Sequence, residues 1–581
     1  MPNSPAGFTQ EQQAYLVEAL KRLNLHQVLQ GGGGATVQED ETIYGVPLED
    51  LCREEVKKHE LHPLDMWPQL EAWTASGHLA EGLDQFLLRH LGFFNVEPNS
   101  PGYMMRLRTP ACVLRGDQME VLAHIAENLA GGYAHVTTRG SLQMREIRPE
   151  NVIEIIDTLQ ECGLTAQGTG ADSARNLTAS PTAGFDRAEL IDISWCARKL
   201  AKRIIRHRAL QGIPRKFNIS YDNAGSISCL SDTNDIGFLA VDVQDNDQGV
   251  APGIWCRIHL GGITGHKDFA RDTGIICHPD HAVDVGEAML RVFVDHGDRT
   301  NRKKARLKYL LDAKGFDWFV EKTREKISQL GMSAELLPLD VRFDAPRPPI
   351  DRQGHIGVHA QSTQGLNYVG AALEVGRMSP EQMRGLAEIA QKYGRNEIRL
   401  TVWQNPLIPH VRDEHVAVVQ AALDALNMPT RATAFAAGAV ACTGRWGCKL
   451  AAAYTKQDAT KLVRHLESCF TLDKPINIHF TGCANSCAQH YIGDIGLVGA
   501  AAPDGGEGYN IVLGGGSDLD QGLARPLCGP VAADDIYALL EHVVATYLDN
   551  RETDESFLAF VRRQDDDALR LLLPPQFAQA A

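Results

Sequence analysis

Two stretches of this chain carry the same short patterns at almost the same separation. Gln118-Met-Glu-Val-Leu-Ala-His-Ile-Ala126 matches Gln382-Met-Arg-Gly-Leu-Ala-Glu-Ile-Ala390 at six of nine positions, an offset of 264 residues. At the same offset Val136-Thr137 falls on Leu400-Thr401. Asn218-Ile219 and Asp235-Ile236-Gly237 meet Asn477-Ile478 and Asp494-Ile495-Gly496, both at an offset of 259. Repeated anchors at near-constant spacing mark an internal duplication. The first copy runs from about 100 to 345 and the second from about 353 to 565. Pro346-Arg-Pro-Pro349 reads as the extended linker between them.

Local patterns give the repeated unit its shape. Tyr103-Met-Met-Arg-Leu-Arg108 alternates as a strand does, which puts Arg106 and Arg108 on one face. Residues 118–130 follow as a helix, with Met119, Leu122, Ile125, Ala126 and Leu129 turned inward. A second strand is expected over 134–145. Residues 1 to about 90 read as helical and polar, with an amphipathic helix carrying Tyr15, Leu16, Ala19, Leu20 and Leu23 on one side. Gly31-Gly-Gly-Gly34 reads as a flexible joint. It is not a phosphate loop, because no strand precedes it and no Lys-Ser/Thr follows.

The chemistry concentrates in the second copy. Cys442-Thr-Gly-Arg-Trp-Gly-Cys448 and Cys483-Ala-Asn-Ser-Cys487 form C-x5-C and C-x3-C, separated by 34 residues. Buried structural thiols are a poor account of two glycine-flanked pairs. A structural zinc site spaces paired ligands by two to four residues, and x5 is too long. Four thiolates suit a cubane iron–sulfur cluster, one per iron. The glycines Gly444, Gly447 and Gly482 allow the backbone to approach it closely. Under the duplication Cys483 falls on Ala224 and Cys487 on Ser228, so only one copy keeps these ligands. One active site built by both copies is the simplest arrangement.

Composition excludes several classes. A net charge of −16 from 57 basic and 73 acidic residues argues against a nucleic-acid binder. No apolar run reaches the roughly 18 residues a membrane span needs, and residues 1–22 show no basic head followed by an apolar core. Thirteen cysteines without an export signal point to a reducing compartment, so the cytoplasm is expected. No G-x-G-x-x-G follows a strand, which leaves no sign of a nicotinamide or flavin domain.

The C-x5-C…C-x3-C pattern resembles the signature of the sirohaem-dependent nitrite and sulfite reductases, over roughly residues 95 to 565. The resemblance implies an α+β fold, internally duplicated about a pseudo-twofold axis, whose ferredoxin-like and sirohaem/iron–sulfur domains share one active site. The boundaries it suggests are an N-terminal helical extension at 1–95, a first ferredoxin-like half at 96–165 and a first sirohaem-binding domain at 166–345. The linker at 346–352 leads to a second ferredoxin-like half at 353–415, a [4Fe–4S]/sirohaem domain at 416–565 and a tail at 566–581.

It also implies roles. Cys442, Cys448, Cys483 and Cys487 hold the [4Fe–4S] cluster, and Cys487 is also the axial ligand of the sirohaem iron, with nitrite bound on the opposite face. Arg106 and Arg175 match arginines that face the bound anion. Ile213-Pro-Arg-Lys-Phe-Asn-Ile219 sits where sulfite reductases read Lys-x-Lys and nitrite reductases Lys-x-Asn; here the pair is Lys216 and Asn218. Sulfite near neutral pH is largely a dianion and nitrite a monoanion, so an amide in place of an ammonium fits nitrite: it removes a costly buried charge yet still donates a hydrogen bond. Arg139, Gln143, Arg215, Arg302 and Arg306 are the expected sirohaem contacts, arginine being suited to forked contacts with carboxylates. The segment 168–173 lacks the cysteine that some relatives cross-link to a tyrosine, so no cross-link is expected. The other cysteines, Cys52, Cys196, Cys277 and Cys469 among them, read as buried thiols, and no histidine is assigned to catalysis.

The expected activity is assimilatory reduction of nitrite to ammonium by six electrons, in a monomer, with reduced ferredoxin as outside donor docking on a local basic patch. A sulfite reductase of the same architecture is the nearest alternative; a non-catalytic iron–sulfur carrier and a zinc-stabilised scaffold are more distant ones.

Overall fold

The alternation at Tyr103–Arg106 becomes a strand in the structure, a computed structural model that describes residues 42–431 and 433–580. The expected helix at 15–23 and the joint at Gly31–Gly34 lie outside these residues. Residues 42–50 are a separate small unit, with Thr42–Ile43 paired to Val46–Pro47. Tyr44 and Gly45 turn the hairpin at φ 51 and 78, both in the left-handed region that a two-residue turn of this kind requires.

Residues 51–580 contain the duplication. Tyr103–Arg106 pairs antiparallel with Leu142–Ile147, and Ala134–Val136 lies on the other side of that strand. The helix Gly116–Asn128 buries Met119, Leu122, Ala123, Ile125 and Ala126 completely. Its start explains one of the repeated residues: the Gln118 side chain accepts the Arg115 N–H at 3.0 Å, and Gln382 accepts the Ser379 N–H at 2.9 Å. Both glutamines satisfy a donor that a helix N-terminus leaves free.

The two ferredoxin-like halves exchange edge strands. One sheet runs Arg377–Met378, Ala134–Val136, Leu142–Ile147, Tyr103–Arg106, Phe93–Asn95; the other runs Gly357–Ala360, Leu366–Gly370, Pro406–Arg412, Glu397–Leu400, Val113–Arg115. Arg377–Met378 belongs by sequence to the second half and pairs with the first. Val113–Arg115 belongs to the first and pairs with the second. The exchange is reciprocal at the offset of 264, as two copies related by a pseudo-twofold require. Helices Gly116–Asn128 and Pro380–Tyr393 pack together over a single core drawn from both halves.

The remaining sheets repeat at 259. Ile219–Asp222 runs parallel to Ile236–Val243 with Ile219 opposite Ile236; Ile478–Thr481 runs parallel to Ile495–Ala501 with Ile478 opposite Ile495. The Asn218 N–H bonds to Asp235 Oδ2 at 2.8 Å, and the Asn477 N–H to Asp494 Oδ2 at 2.7 Å. Beyond the next hairpin, shorter in the second copy, the offset drops to 254, where Ala282–His296 meets Ile536–Asn550.

Three parts of the chain differ from expectation. The single strand expected over 134–145 is a hairpin, Ala134–Val136 and Leu142–Ile147, because the chain reverses at Thr137–Ser141, where the Thr137 N–H donates to the Ser141 carbonyl at 2.7 Å. The 1–95 boundary detaches residues that belong to the core: Met66, Leu70, Ala80, Phe86, Leu87 and Leu88 pack in the first core, and Phe93–Asn95 is a strand of the first sheet. Polar composition hides this, because only one side of each short helix is apolar. The Pro-rich linker is also more than a spacer. Arg347 reaches Asp222 at 3.0 Å and Asp518 at 3.8 Å, while Arg352 reaches Asp494 at 3.0 Å, so it ties the copies together. Among the described residues no helix is long and apolar enough to cross a membrane.

Burial holds His90 down to about 3 and His355, His479 and His490 down to about 4. Unfolded, each titrates near 6.5. Between those values the unfolded chain binds protons that the folded chain refuses, so stability is lost as pH falls through the window, at up to about 1.4 kcal/mol per histidine and pH unit. The urea midpoint should therefore drop steadily from pH 6.5 to 4; a flat midpoint across that range contradicts this account.

Candidate functional site

Both cysteine pairs sit in loops that leave one sheet. Ala439–Ala441 runs parallel to Ile478–Thr481, and each strand leads directly into a cysteine loop. The Cys442 N–H still bonds to the Phe480 carbonyl at 3.0 Å, and the Gly482 N–H donates to Cys442 Sγ at 3.2 Å. Adjacent strands lie about 4.8 Å apart, so neighbouring strand ends bring the two pairs together whatever the spacer does. Cys487 faces accessible space but is ringed by protein; burial, then Cys442, with Cys483 and Cys448 adding, pushes its thiol up to about 12, against the pull of Lys216. Gly444 has φ 69, and a Cβ on Gly482 would lie 2.6 Å from that of Ala451. Four converging thiols in a cradle that excludes larger side chains fit a four-thiolate iron–sulfur cluster, whose metal would hold them as thiolates.

The first copy holds the first cysteine loop. Arg145 donates from Nη1 to the Gly447 carbonyl at 3.0 Å, and from Nη2 to Thr443 Oγ1 at 2.6 Å and Gln143 Oε1 at 3.2 Å. Burial brings Arg145 down to about 10. Gln143 stands opposite Arg106 on the neighbouring strand. Thr138 Oγ1 donates to the Cys487 carbonyl at 3.0 Å. Arg145 and Thr138 escaped the sequence reading, although Arg145 shares a strand face with Gln143 by simple alternation.

A group of cations stands beside Cys487. Lys216 makes no hydrogen bond or ion pair among the described residues. Burial, then Arg306 and Arg175, hold it down to about 7, and Cys487 pulls it upward. Arg175 is lowered by burial and then by Arg106. Its guanidinium is fixed by the Ser173 and Ala171 carbonyls at 3.2 and 2.8 Å. Arg106, also lowered by burial, stacks over Phe94 at 4.9 Å and donates to the Thr169 carbonyl at 3.1 Å. Asn218 is buried, and its Oδ1 has no partner. Like charges that depress one another in a buried space favour an anion there.

The expected macrocycle contacts divide. Arg215 is half-buried and lies 3.6 Å from Asp172. Arg302 is forked onto Asp172 at 2.7 and 2.8 Å, and Arg306 reaches Asp235 at 2.7 Å. Arg139 is held by protein acceptors. Its guanidinium donates to the Asn176 carbonyl at 3.0 and 2.6 Å, to Asn234 Oδ1 at 2.9 Å and to the Ile219 carbonyl at 3.4 Å, a brace between backbone segments.

Asp172 and Lys58 were not foreseen. Burial alone would raise Asp172, yet Lys58 and Arg302 hold it well below the usual carboxylate range. Lys58 bonds to Asp172 at 3.3 Å, to Glu55 at 2.6 Å and to the Gly212 and Ile213 carbonyls, both at 3.0 Å. The helix Arg53–Glu60 thereby underpins the segment that carries Arg215 and Lys216.

The family description "Nitrite/Sulfite reductase ferredoxin-like half domain" matches residues 96–162 and 359–426, and "Nitrite and sulphite reductase 4Fe-4S domain" matches 170–330 and 441–559. The chain belongs to the nitrite and sulfite reductase family. It is thus an oxidoreductase with an iron–sulfur cluster. A ferredoxin–nitrite reductase of Synechococcus elongatus is 33% identical over 513 residues, covering 85% of this chain and 96% of its own. A sulfite reductase [ferredoxin] of Mycolicibacterium paratuberculosis is 31% identical over 478 residues, covering 81% and 83%. The structure of the Mycobacterium tuberculosis NirA protein superposes with a TM-score of 0.79 at 29% identity, covering 90% of this chain and 98% of that one.

Arg145→Ala removes the contacts that hold the Thr443–Gly447 turn and leaves a buried carbonyl unpaired, a cost of about 1–3 kcal/mol. Iron and acid-labile sulfide per chain should fall below wild type, with the loss most evident on warming. Wild-type iron content and thermal retention in the variant would show that the loop holds itself.

Proposed function

We propose that this protein is a ferredoxin-dependent nitrite reductase that reduces nitrite to ammonium. The observation that carries this reading is the pocket of Lys216, Arg175 and Arg106 beside Cys487, with an amide rather than a fourth cation at Asn218. The Synechococcus elongatus and Mycolicibacterium paratuberculosis relatives are both named for ferredoxin, one for nitrite and one for sulfite, so the choice of anion rests on this chain's own residues.

Sirohaem fits the same surroundings: its carboxylates would offset the crowded cations Lys216, Arg175 and Arg106, and Arg215, Arg302 and Arg306 would hold its rim, the last two from guanidinium groups already steadied by Asp172 and Asp235. Bound there with the cluster, it would supply a metal site for the anion and deliver the six electrons that ferredoxin brings singly. Cys442, Cys448, Cys483 and Cys487 would hold the cluster, and Cys487, which Lys216 and Arg106 face, would also help to hold the sirohaem.

The chain's own residues supply charge, position and protons. Lys216, Arg175 and Arg106 balance the negative charge of nitrite. Arg175 and Arg106 cannot swing, because carbonyls and Phe94 hold them, so their field is preset. Asn218 Nδ2 can donate to a nitrite oxygen. An anion beside Lys216 moves its ammonium back towards the ordinary value, where Nζ keeps a proton to pass to a departing oxygen. Asp172 fixes Arg302 and Lys58 beneath this group, which makes it a positioning residue.

A second reading, sulfite reduction, is favoured by the sulfite reductases among the relatives. The deciding experiment offers nitrite and sulfite separately to purified, anaerobically reduced protein with an artificial one-electron donor. Ammonium from nitrite with much slower sulfide formation is expected; dominant sulfide formation would overturn the substrate. Asn218→Lys should raise the sulfite-to-nitrite ratio of kcat/KM by about tenfold, equivalent to about 1.4 kcal/mol. An unchanged ratio at wild-type cofactor content would remove Asn218 from specificity.

A further inference from the structure

The helix Thr455–Cys469 ends at an exposed thiol, in contrast to the buried one expected from sequence. His465 and Cys469 are four residues apart and so share a helix face. The neighbouring helix Ile536–Asn550 presents Glu541 to the same place. Glu541 Oε2 lies 2.8 Å from His465 Nε2, Cys469 Sγ lies 3.9 Å from that nitrogen, and all three ligand atoms fall within 4.8 Å of one another. Tyr537, one turn before Glu541, meets the imidazole edge-on at 5.9 Å between ring centres.

We propose that His465, Cys469 and Glu541 form a binding site for a zinc-class divalent cation, separate from the redox centre. A tetrahedral zinc with bonds of about 2.0–2.3 Å places its nitrogen and oxygen ligands about 3.3 Å apart and its sulfur and nitrogen about 3.6 Å apart. The observed separations differ from these by less than an ångström, within reach of side-chain rotation at a partly exposed site. The ion would take the place of the proton that now joins imidazole to carboxylate. One imidazole, one thiolate and one carboxylate match the zinc, cobalt and nickel class rather than magnesium or calcium, which take oxygen ligands. Water would complete the shell, and solvent reaches the site directly. The position is also electrostatically favourable, because Cys469 closes a helix whose C-terminal end carries partial negative charge.

Such an ion would have a structural effect. The helix Thr455–Cys469 begins at the residue whose hydroxyl donates to the Cys442 carbonyl at 2.7 Å, so its far end reports on the cysteine loop. Clamping that end to Ile536–Asn550 would stiffen the helix at the end opposite its contact with the cysteine loop.

The test uses holoenzyme of verified iron content dialysed against buffered zinc, with bound zinc counted and Cys469 alkylation followed by peptide mass spectrometry. One zinc per chain is expected, together with at least tenfold slower alkylation of Cys469 when zinc is present. His465→Gln, Glu541→Gln and Cys469→Ser should each weaken zinc binding at least tenfold and leave nitrite turnover without added zinc unchanged. Zinc should also raise the melting temperature of wild type and not of Cys469→Ser. Equal zinc uptake by wild type and all three variants, or alkylation of Cys469 at the same rate with and without zinc, would overturn the proposal. So would no uptake by wild type.

Discussion

Each ferredoxin-like half of this protein lacks an edge strand and receives it from the other. Val113–Arg115 completes the second sheet and Arg377–Met378 the first. An unpaired sheet edge is costly and prone to wrong pairing, so neither half is complete alone. The shared core beneath the crossed helices follows from this exchange. So does the meeting of first-copy side chains with second-copy cysteines: Arg145 and Thr138 come from strands and turns whose place is set by the exchange, and both bond to the cysteine loops.

The site balances charge in two layers. Lys216 and Arg106 face Cys487, and Arg175 stands against both of them, cations lowered by burial and by one another. Behind them Asp172 and Asp235 each take an arginine, Arg302 and Arg306, in close ion pairs. The carboxylates lower the cost of collecting so many cations without neutralising the front layer. An isolated buried cation would lose its proton or drive the loop outward; here the rear layer keeps the front one in place, and the helix Arg53–Glu60 supports it through Lys58.

What was legible in the sequence is what local rules encode. Alternation at 103–108 gave the strand, periodicity at 118–130 gave the helix, and two offsets gave the duplication. The cysteine spacing indicated the cluster because its ligands are few and chemically distinctive. Residues whose roles depend on a distant partner stayed hidden. Asp172 looks like a loop carboxylate until Lys58 arrives from 114 positions earlier. Arg139 is held by the backbone carbonyls of Asn176 and Ile219 and by the Asn234 side-chain oxygen, acceptors from three segments distant in sequence. The apolar sides of the helices in 53–88 are too short for periodicity to distinguish a core element from an appendage.

The repeated hydrogen bond at Asn218 and Asn477 bears on how this chain tolerates change. Both positions tie a strand to an aspartate on its neighbour through the main-chain N–H, and both carry asparagine. At the same offset, Lys216 has Pro475 as its twin, and Arg215 has Lys474. The second copy therefore keeps the framework and one of the two cations, while the lysine at 216 belongs to the first copy alone. Substitutions at matched positions need not have matched effects: Lys216 answers to electrostatics where Pro475 answers to packing, and Cys483 and Cys487 to metal binding where Ala224 and Ser228 answer to packing. A duplicated fold thus frees half of its equivalent positions to drift.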